Sequence, residues 1–147
     1  KPWPWADIYP VAKLDFERFD SSQIVLNNDS GQALAFGPGL TLANASDVDD
    51  VDTSVVVISA HNDTHFSILK ELRLNDSVTL TFKTGGTQTF KVSNMIIMDI
   101  KTEQLVLLNN DVHEDKTAII QELVLVTCYP FNGVNDETTL RYIVYLS

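Results

Sequence analysis

The chain has 147 residues, enough for a single domain over 1–147 with a buried core, and its 44% hydrophobic and 20% charged residues are typical of a globular protein. Acidic residues number 20 against 10 basic ones, and the net charge of −10 argues against nucleic acid or an anionic membrane surface as a partner. No apolar stretch is long enough to cross a membrane, and no signal-peptide pattern is present.

The first third of the chain predicts two strands and one short helix. Strands are predicted over Val11–Phe19 and Gln23–Leu26, where apolar residues mark one buried face. Ser30 is placed to cap a helix over Gln32–Phe36, because its hydroxyl can accept from a free backbone N–H of the first turn. Gly37-Pro38-Gly39 then ends that helix, since proline cannot continue it and glycine accepts left-handed geometry.

An acidic stretch follows, Asp47-Val48-Asp49-Asp50-Val51-Asp52. Four carboxylates this close repel one another, so the stretch is either a solvated loop or a site that holds calcium. It lacks the Gly and Glu spacing of a helix–loop–helix calcium site, and most charge runs are unliganded surface. The pattern therefore favours a solvated loop, with calcium as the alternative.

A buried strand is predicted over Val55–Ser59, and it delivers His61 just past its end. A second histidine, His65, follows four residues later. Two histidines at this spacing on a helix can bind zinc, but the strand context and the missing third ligand argue against a metal site. His61 is thus a candidate base at a strand end.

The second half of the chain predicts further strands. Ser77–Lys83 and Thr87–Ile100 form a hairpin around Thr84-Gly85-Gly86, because apolar and polar residues alternate and the double glycine suits a tight turn. Within it, Met95–Met98 is continuously apolar and predicts a segment that crosses the core. Three later strands are predicted over Leu105–Leu108, Glu122–Cys128 and Leu140–Leu146.

The only cysteine of the chain, Cys128, ends an apolar run just before a proline. A lone thiol at a strand end is either a small buried hydrophobe or a nucleophile. The order His61, Cys128, Arg141 supplies a base, a thiol and a fixed cation, each on or at the end of a strand. Acyl transfer through a thioester needs these groups, because the thiol attacks, the imidazole exchanges protons and a donor holds the charge on the carbonyl oxygen.

Three segments occur in this order: Ala60-His61-Asn62-Asp63-Thr64-His65-Phe66, Thr127-Cys128 after a Leu/Val strand, and Leu140-Arg141-Tyr142 in the last strand. Together they resemble the signature of the sortases, membrane-anchored cysteine transpeptidases of bacterial surfaces. Further segments are similar to the sortase group of Gram-negative, largely marine, proteobacteria: Trp3–Asp7, Ala33–Gly39 and Val126–Phe131. The similarity runs from residue 3 to the C-terminus. Asn62 is a departure, since members of that group commonly carry arginine there.

The resemblance implies a mainly β fold, a closed eight-stranded barrel with one or two short helices. It implies a transpeptidase that cleaves an LPxTG-like sorting signal near the C-terminus of a secreted protein, before the glycine. The acyl group would form a thioester on Cys128 and pass to an amine acceptor, or to water as a side reaction. No cofactor is implied.

The resemblance also assigns roles to residues. Cys128 is the expected nucleophile, His61 its acid and base, and Arg141 the clamp for the oxyanion or substrate. Asp63 and Thr64 are supporting candidates that could orient His61. Another supporting candidate, Thr127, could steady the substrate backbone.

The resemblance further implies an inner-membrane anchor, which we expect at the N-terminal side and outside these 147 residues, with the catalytic domain facing the periplasm. A single cysteine fits an oxidising compartment, because it has no intramolecular partner for a disulfide. The rival from another class is a non-catalytic β-rich adhesion or carbohydrate-binding module whose acidic loop binds calcium. That rival predicts a buried, unreactive Cys128.

Overall fold

The computed structural model describes residues 8–34, 37–43, 55–103, 120–131 and 138–147. These residues form eight strands, one short α-helix and two 3₁₀ turns. The strands are β1 (Pro10–Phe16), β2 (Ser21–Leu26), β3 (Gly39–Ala43), β4 (Val55–Ser59), β5 (Ser77–Phe82), β6 (Thr87–Asp99), β7 (Glu122–Cys128) and β8 (Leu140–Leu146). The helix α1 spans Gly31–Leu34, and the 3₁₀ turns span Glu17–Phe19 and Ser67–Glu71.

The strands close into a barrel in the order β1-β2-β3-β4-β7-β8-β6-β5, with β5 returning to β1. Most neighbours are antiparallel, but β2 pairs with β3 and β4 pairs with β7 in parallel. The predicted eight-stranded barrel with few helices is confirmed. The sequence did not predict β3. The strand that it predicted over Leu105–Leu108 lies outside the described residues, as do Trp3–Asp7 and the acidic stretch Asp47–Asp52.

Two predicted segments were wrong in detail. The first strand ends at Phe16 and not at Phe19, because Glu17–Phe19 turns as a 3₁₀ helix that ends on Asp20 with a φ of 50°. Met95–Met98 does not cross the core. It lies in the barrel wall on β6, so its side chains alternate between the two faces, and Ile97 is 50% exposed while Met98 is buried.

The cap of α1 is confirmed, since the Ser30 hydroxyl accepts from the Ala33 backbone N–H at 3.1 Å. The helix ends before Gly37 as predicted, but neither Gly37 nor Gly39 adopts the predicted left-handed geometry. Gly39 opens β3, and a Cβ there would lie 2.0 Å from the Asn28 carbonyl oxygen. Glycine is therefore required at 39 by close backbone approach, whereas the left-handed glycine of the described residues is Gly85 in the β5–β6 turn.

Buried side chains form two clusters on opposite faces of the barrel wall. The larger cluster fills the interior and draws residues from around the barrel, among them Leu14, Val56, Leu80, Leu125 and Val144. The smaller one, which we call the outer cluster, lies on the other face of four neighbouring strands: Val55, Val57, Met98, Val124, Ile143 and Tyr145. Alternation along each strand thus separates interior positions from outer positions.

An ion pair ties the first 3₁₀ turn to the start of β5. The Arg18 guanidinium donates to the Asp76 carboxylate from Nε and Nη2, at 2.9 to 3.0 Å, and the Arg73 backbone N–H donates to it at 2.9 Å. The hydrogen bond from Arg18, assisted by the one from Arg73, holds the pKa of Asp76 below its usual value of 3.8 despite partial burial.

Asp76→Asn is expected to lower the free energy of unfolding at neutral pH by about 1 kcal/mol, because the pair is partly exposed to solvent. A lowered folded-state pKa stabilises the protein above the unfolded pKa, and that contribution is lost as the pH falls through the folded value. Urea unfolding at neutral pH and at about pH 2.5 measures the free energy of unfolding of Asp76→Asn and of the unaltered protein. The difference between the two should vanish at the acidic pH. The control is Asp20→Asn, because Asp20 is exposed. If Asp76→Asn lowered the free energy of unfolding equally at both pH values, the role of the ion pair with Arg18 would be contradicted.

Candidate active site

Two of the predicted site residues lie directly opposite each other. Cys128 is the last residue of β7, and in the antiparallel pairing of β7 with β8 its partner is Arg141. Residues that face each other across antiparallel strands project from the same side of the sheet, with Cβ atoms about 4.5–5.5 Å apart. The thiol and the guanidinium stem therefore leave the barrel wall side by side.

Alternation along the strands identifies the face on which they project. On β7, Leu125 belongs to the interior cluster, while Val124 belongs to the outer cluster and Val126 packs against it. Cys128 continues the series of Val124 and Val126 and therefore lies on the outer face. Arg141 continues the outer series of β8 that contains Ile143 and Tyr145, so the two strands agree.

His61 follows the third strand of the same group. β4 pairs with β7 in parallel up to Ser59 opposite Val126, and the Ala60 N–H then donates to the Val126 carbonyl oxygen at 3.3 Å. His61 comes two residues after the last residue of β4 that pairs with β7, and the side chain of its neighbour Asn62 reaches the Cys128 carbonyl oxygen at 3.0 Å, so the His61 backbone lies near the end of β7. The Phe66 N–H closes a turn by donating to the His61 carbonyl oxygen at 2.9 Å, and the His61 side chain is exposed.

The guanidinium of Arg141 is held by nearby backbone. Its Nη1 donates to the carbonyl oxygens of Thr138 and Leu140, at 2.9 and 3.0 Å, and the residue is half-buried. These bonds fix the direction of the side chain in a partly screened position, where a charge-assisted hydrogen bond is stronger than in open water.

The supporting candidates differ in their surroundings. Thr127 is 2% exposed, and its hydroxyl donates to the Ala60 carbonyl oxygen at 2.6 Å, so it binds the start of the His61 segment to β7. This buried position on the interior face favours a structural role for Thr127, and its expected contact with a substrate backbone stays a prediction. Asp63 and Thr64 are exposed, and within the described residues no hydrogen bond joins either side chain to His61.

Two residues at the site escaped the sequence reading. The Asn62 amide donates to the carbonyl oxygens of Cys128 and Pro130, and the Thr138 hydroxyl donates to that of Tyr129. The sequence marked Asn62 only as a departure from the sortase pattern. Its position next to His61 was the one feature of the sequence that could have indicated a role at the site. Thr138 gave none, because a threonine ten residues after a cysteine has no local signature.

An aromatic group stands behind the thiol, on the interior side of the strand ends. Tyr129 stacks on Tyr142 with ring centroids 6.2 Å apart, and Phe131 meets both rings edge-on at 6.1 and 5.2 Å. Burial, with a smaller contribution from Tyr129, raises the pKa of the Tyr142 hydroxyl, so the hydroxyl stays protonated and neutral at physiological pH. The rings support the strand ends by packing.

Other expectations concern metals and membranes. In the parts of the chain that the structure describes, no three His, Cys, Asp or Glu side chains lie close enough together to hold a metal ion. His61 and His65 sit in a turn and not on a helix. No helix within the described ranges is long and apolar enough to span a bilayer.

Cys128 is partly exposed, which argues against the alternative of a non-catalytic binding module, since that alternative predicts a buried Cys128.

Comparison with known proteins gives consistent matches. The family model described as a sortase domain matches residues 14–147. Sortase D of Bacillus subtilis is 29% identical over 120 residues, an alignment that covers 72% of this chain and 56% of that protein. The chain thus matches a little over half the length of this curated relative.

Solved structures share the fold. Sortase A from Corynebacterium diphtheriae superposes with a TM-score of 0.69 at 17% identity, covering 96% of this chain and 61% of that one. The Streptococcus pneumoniae Sortase C structure has a TM-score of 0.66 at 19% identity, covering 93% of this chain and 67% of the other. At these identities the likeness concerns the barrel architecture.

Proposed function

Because the chain belongs to the sortase family, we propose that it is a cysteine transpeptidase acting through His61, Cys128 and Arg141. The observation that carries the proposal is the pairing of Cys128 with Arg141 on the outer face of β7 and β8, with His61 two residues past the end of β4, the strand next to β7. A nucleophile, a proton carrier and a fixed cation thus come from three adjacent strands.

The proposed substrate is a secreted protein with an LPxTG-like sorting signal near its C-terminus. The Cys128 sulfur attacks, as a thiolate whose proton His61 holds, the carbonyl carbon that precedes the glycine, and a tetrahedral intermediate forms. As it collapses, the carbon–nitrogen bond breaks and the His61 imidazolium gives its proton to the leaving amine. The product is a thioester on Cys128 and a peptide that begins with glycine.

The second half of the reaction returns the enzyme to its starting state. The acceptor amine attacks the thioester carbonyl and gives a proton to His61, and the carbon–sulfur bond breaks to form the new amide. Arg141 donates to the carbonyl oxygen while it carries negative charge in both intermediates. Water in place of the amine gives the hydrolysis product.

We further propose that the protein is anchored in the inner membrane by a segment N-terminal to this domain, with the barrel facing the periplasm. The support is the similarity of Trp3–Asp7, Ala33–Gly39 and Val126–Phe131 to sortases of Gram-negative bacteria. Secreted substrates and the amine acceptor would meet the enzyme in that compartment.

Product analysis with and without an added amine tests whether the chemistry is transfer. A peptide carrying an LPxTG-like signal is expected to give the amide of the added amine, with the hydrolysed acid as the minor product. In the absence of amine, the acid is expected alone and at a lower rate, because water must then resolve the thioester. Acid as the dominant product at saturating amine would indicate a hydrolytic cysteine peptidase and contradict the proposal.

A further inference from the structure

The three residues that begin with the nucleophile have their carbonyl groups bound by side chains from neighbouring parts of the barrel. The Asn62 Nδ2 donates to the carbonyl oxygens of Cys128 and Pro130, at 3.0 and 2.9 Å. The Thr138 hydroxyl donates to the carbonyl oxygen of Tyr129, at 2.8 Å. In the segment 128–130, the first and third carbonyl groups are therefore bound from the end of β4 and the second from the start of β8.

The bonds from Asn62 connect this segment to the candidate base. One amide nitrogen donates to both carbonyl oxygens, and its residue directly follows His61. Asn62 is partly buried, which limits the competition of water for these bonds. These bonds therefore oppose displacement of the His61 backbone relative to Cys128.

The bonds of Thr138 connect the same segment to the candidate cation. Its hydroxyl, besides donating to Tyr129, accepts from the Leu140 N–H at 3.1 Å. Its carbonyl oxygen accepts from Nη1 of Arg141 at 2.9 Å. A single residue thus fixes both the strand end that carries the thiol and the guanidinium that faces it.

These side chains act where the regular ladder ends. β4 stops at Ser59, β7 stops at Cys128 and β8 begins at Leu140, so each candidate group lies within two residues of the end of its strand. Strand ends open more readily than strand centres, yet acyl transfer requires alignment to a fraction of an ångström. Side-chain bonds to the backbone supply the restraint that further strand pairing would otherwise give.

We infer that Asn62 and Thr138 form a clamp on residues 128–130 that positions His61, Cys128 and Arg141 relative to one another. The inference rests on the proposed function for its catalytic meaning. Both are positioning residues, because each acts through backbone groups and through the side chains it holds. The clamp explains why asparagine, a neutral double donor, suits position 62 in this chain.

The test compares variants that keep or remove the donors. Thr138→Val removes the hydroxyl at nearly constant shape, and Thr138→Ser restores it. Asn62→Leu removes both amide donors at similar size. The control is Ser67→Ala, which loses a side-chain bond to a backbone carbonyl in the same loop, from the Ser67 hydroxyl to Thr64 at 2.9 Å, without touching residues 128–130.

Two quantities are measured for each protein, the kinetics of amide formation and the hydrogen exchange of the Tyr129 amide. That amide donates to the Leu140 carbonyl oxygen at 3.1 Å and reports whether the strand end is closed. We expect Thr138→Val and Asn62→Leu to lower kcat about 10- to 100-fold, with KM changed less than about twofold, and to speed exchange. Thr138→Ser and Ser67→Ala should behave like the unaltered protein.

Unchanged kcat and unchanged exchange of the Tyr129 amide in Thr138→Val would overturn the clamp. An equal loss of kcat in Thr138→Ser and Thr138→Val would also overturn it, since the hydroxyl would then not be responsible. If Asn62→Leu does not fold, the two Thr138 variants decide the matter. If the unaltered protein forms no amide product, the proposed function fails instead. The exchange comparison then still decides whether the clamp exists.

Discussion

Cys128→Ala is expected to abolish peptide cleavage and amide formation, lowering kcat/KM at least about 1,000-fold. The chain contains one cysteine, so no other thiol can carry the acyl group. Cys128 sits at the outer end of β7 and is only partly buried, so removal of its sulfur leaves the interior cluster intact. The melting temperature should therefore stay close to that of the unaltered protein.

The measurement is the rate of cleavage of an LPxTG-like peptide by purified protein, followed by chromatography. A matched control is Ser93→Ala, which removes one small polar group from β6, the hydroxyl that donates to the Tyr145 carbonyl oxygen. This variant should cleave at the unaltered rate. A Cys128→Ala protein that retained activity would refute the thioester route.

Arg141→Lys is expected to lower kcat about 100- to 1,000-fold, the usual cost of losing a donor to a developing oxyanion. Lysine keeps the positive charge but lacks the planar fork, so it cannot both bond the Thr138 and Leu140 carbonyl oxygens and present a directed donor beside Cys128. The loss should appear in kcat more than in KM, because the oxyanion exists only on the reaction path.

Single-turnover kinetics of thioester formation measure this effect without interference from the acceptor amine. Arg73→Lys is the matched control, since Arg73 is exposed and lies in the turn before β5. Normal thioester formation by Arg141→Lys would show that charge alone suffices and would contradict the role of a directed guanidinium.

Local sequence patterns were sufficient to find the strands that carry the site. β4, β7 and β8 are short apolar runs with clear ends, and all three were predicted with their observed bounds. Their order in the barrel does not follow from those patterns. β4 and β7 are parallel neighbours despite the long stretch of chain between them, and only this pairing brings the end of β4, which leads into His61, beside the strand that carries Cys128.

The features that were missed depend on contacts between distant parts of the chain. β3 was overlooked because Gly39–Ala43 is short and begins with glycine, and it is stabilised as a strand by pairing with β4. The inward bond of Thr127 to the Ala60 carbonyl oxygen was not predicted either, because it depends on the pairing of β7 with β4. Asn62 and Thr138 act through backbone carbonyls, which leave no trace in the residue types around them.

Mass spectrometry of the protein mixed with LPxTG-like peptides tests most directly whether the thiol, the imidazole and the guanidinium form one site. The account predicts an acyl adduct that ends at the threonine, maps to Cys128, is released by hydroxylamine and accumulates far more slowly in His61→Ala and in Arg141→Lys. An adduct that forms at the same rate without the imidazole and the guanidinium, or that maps to any residue other than Cys128, would contradict it.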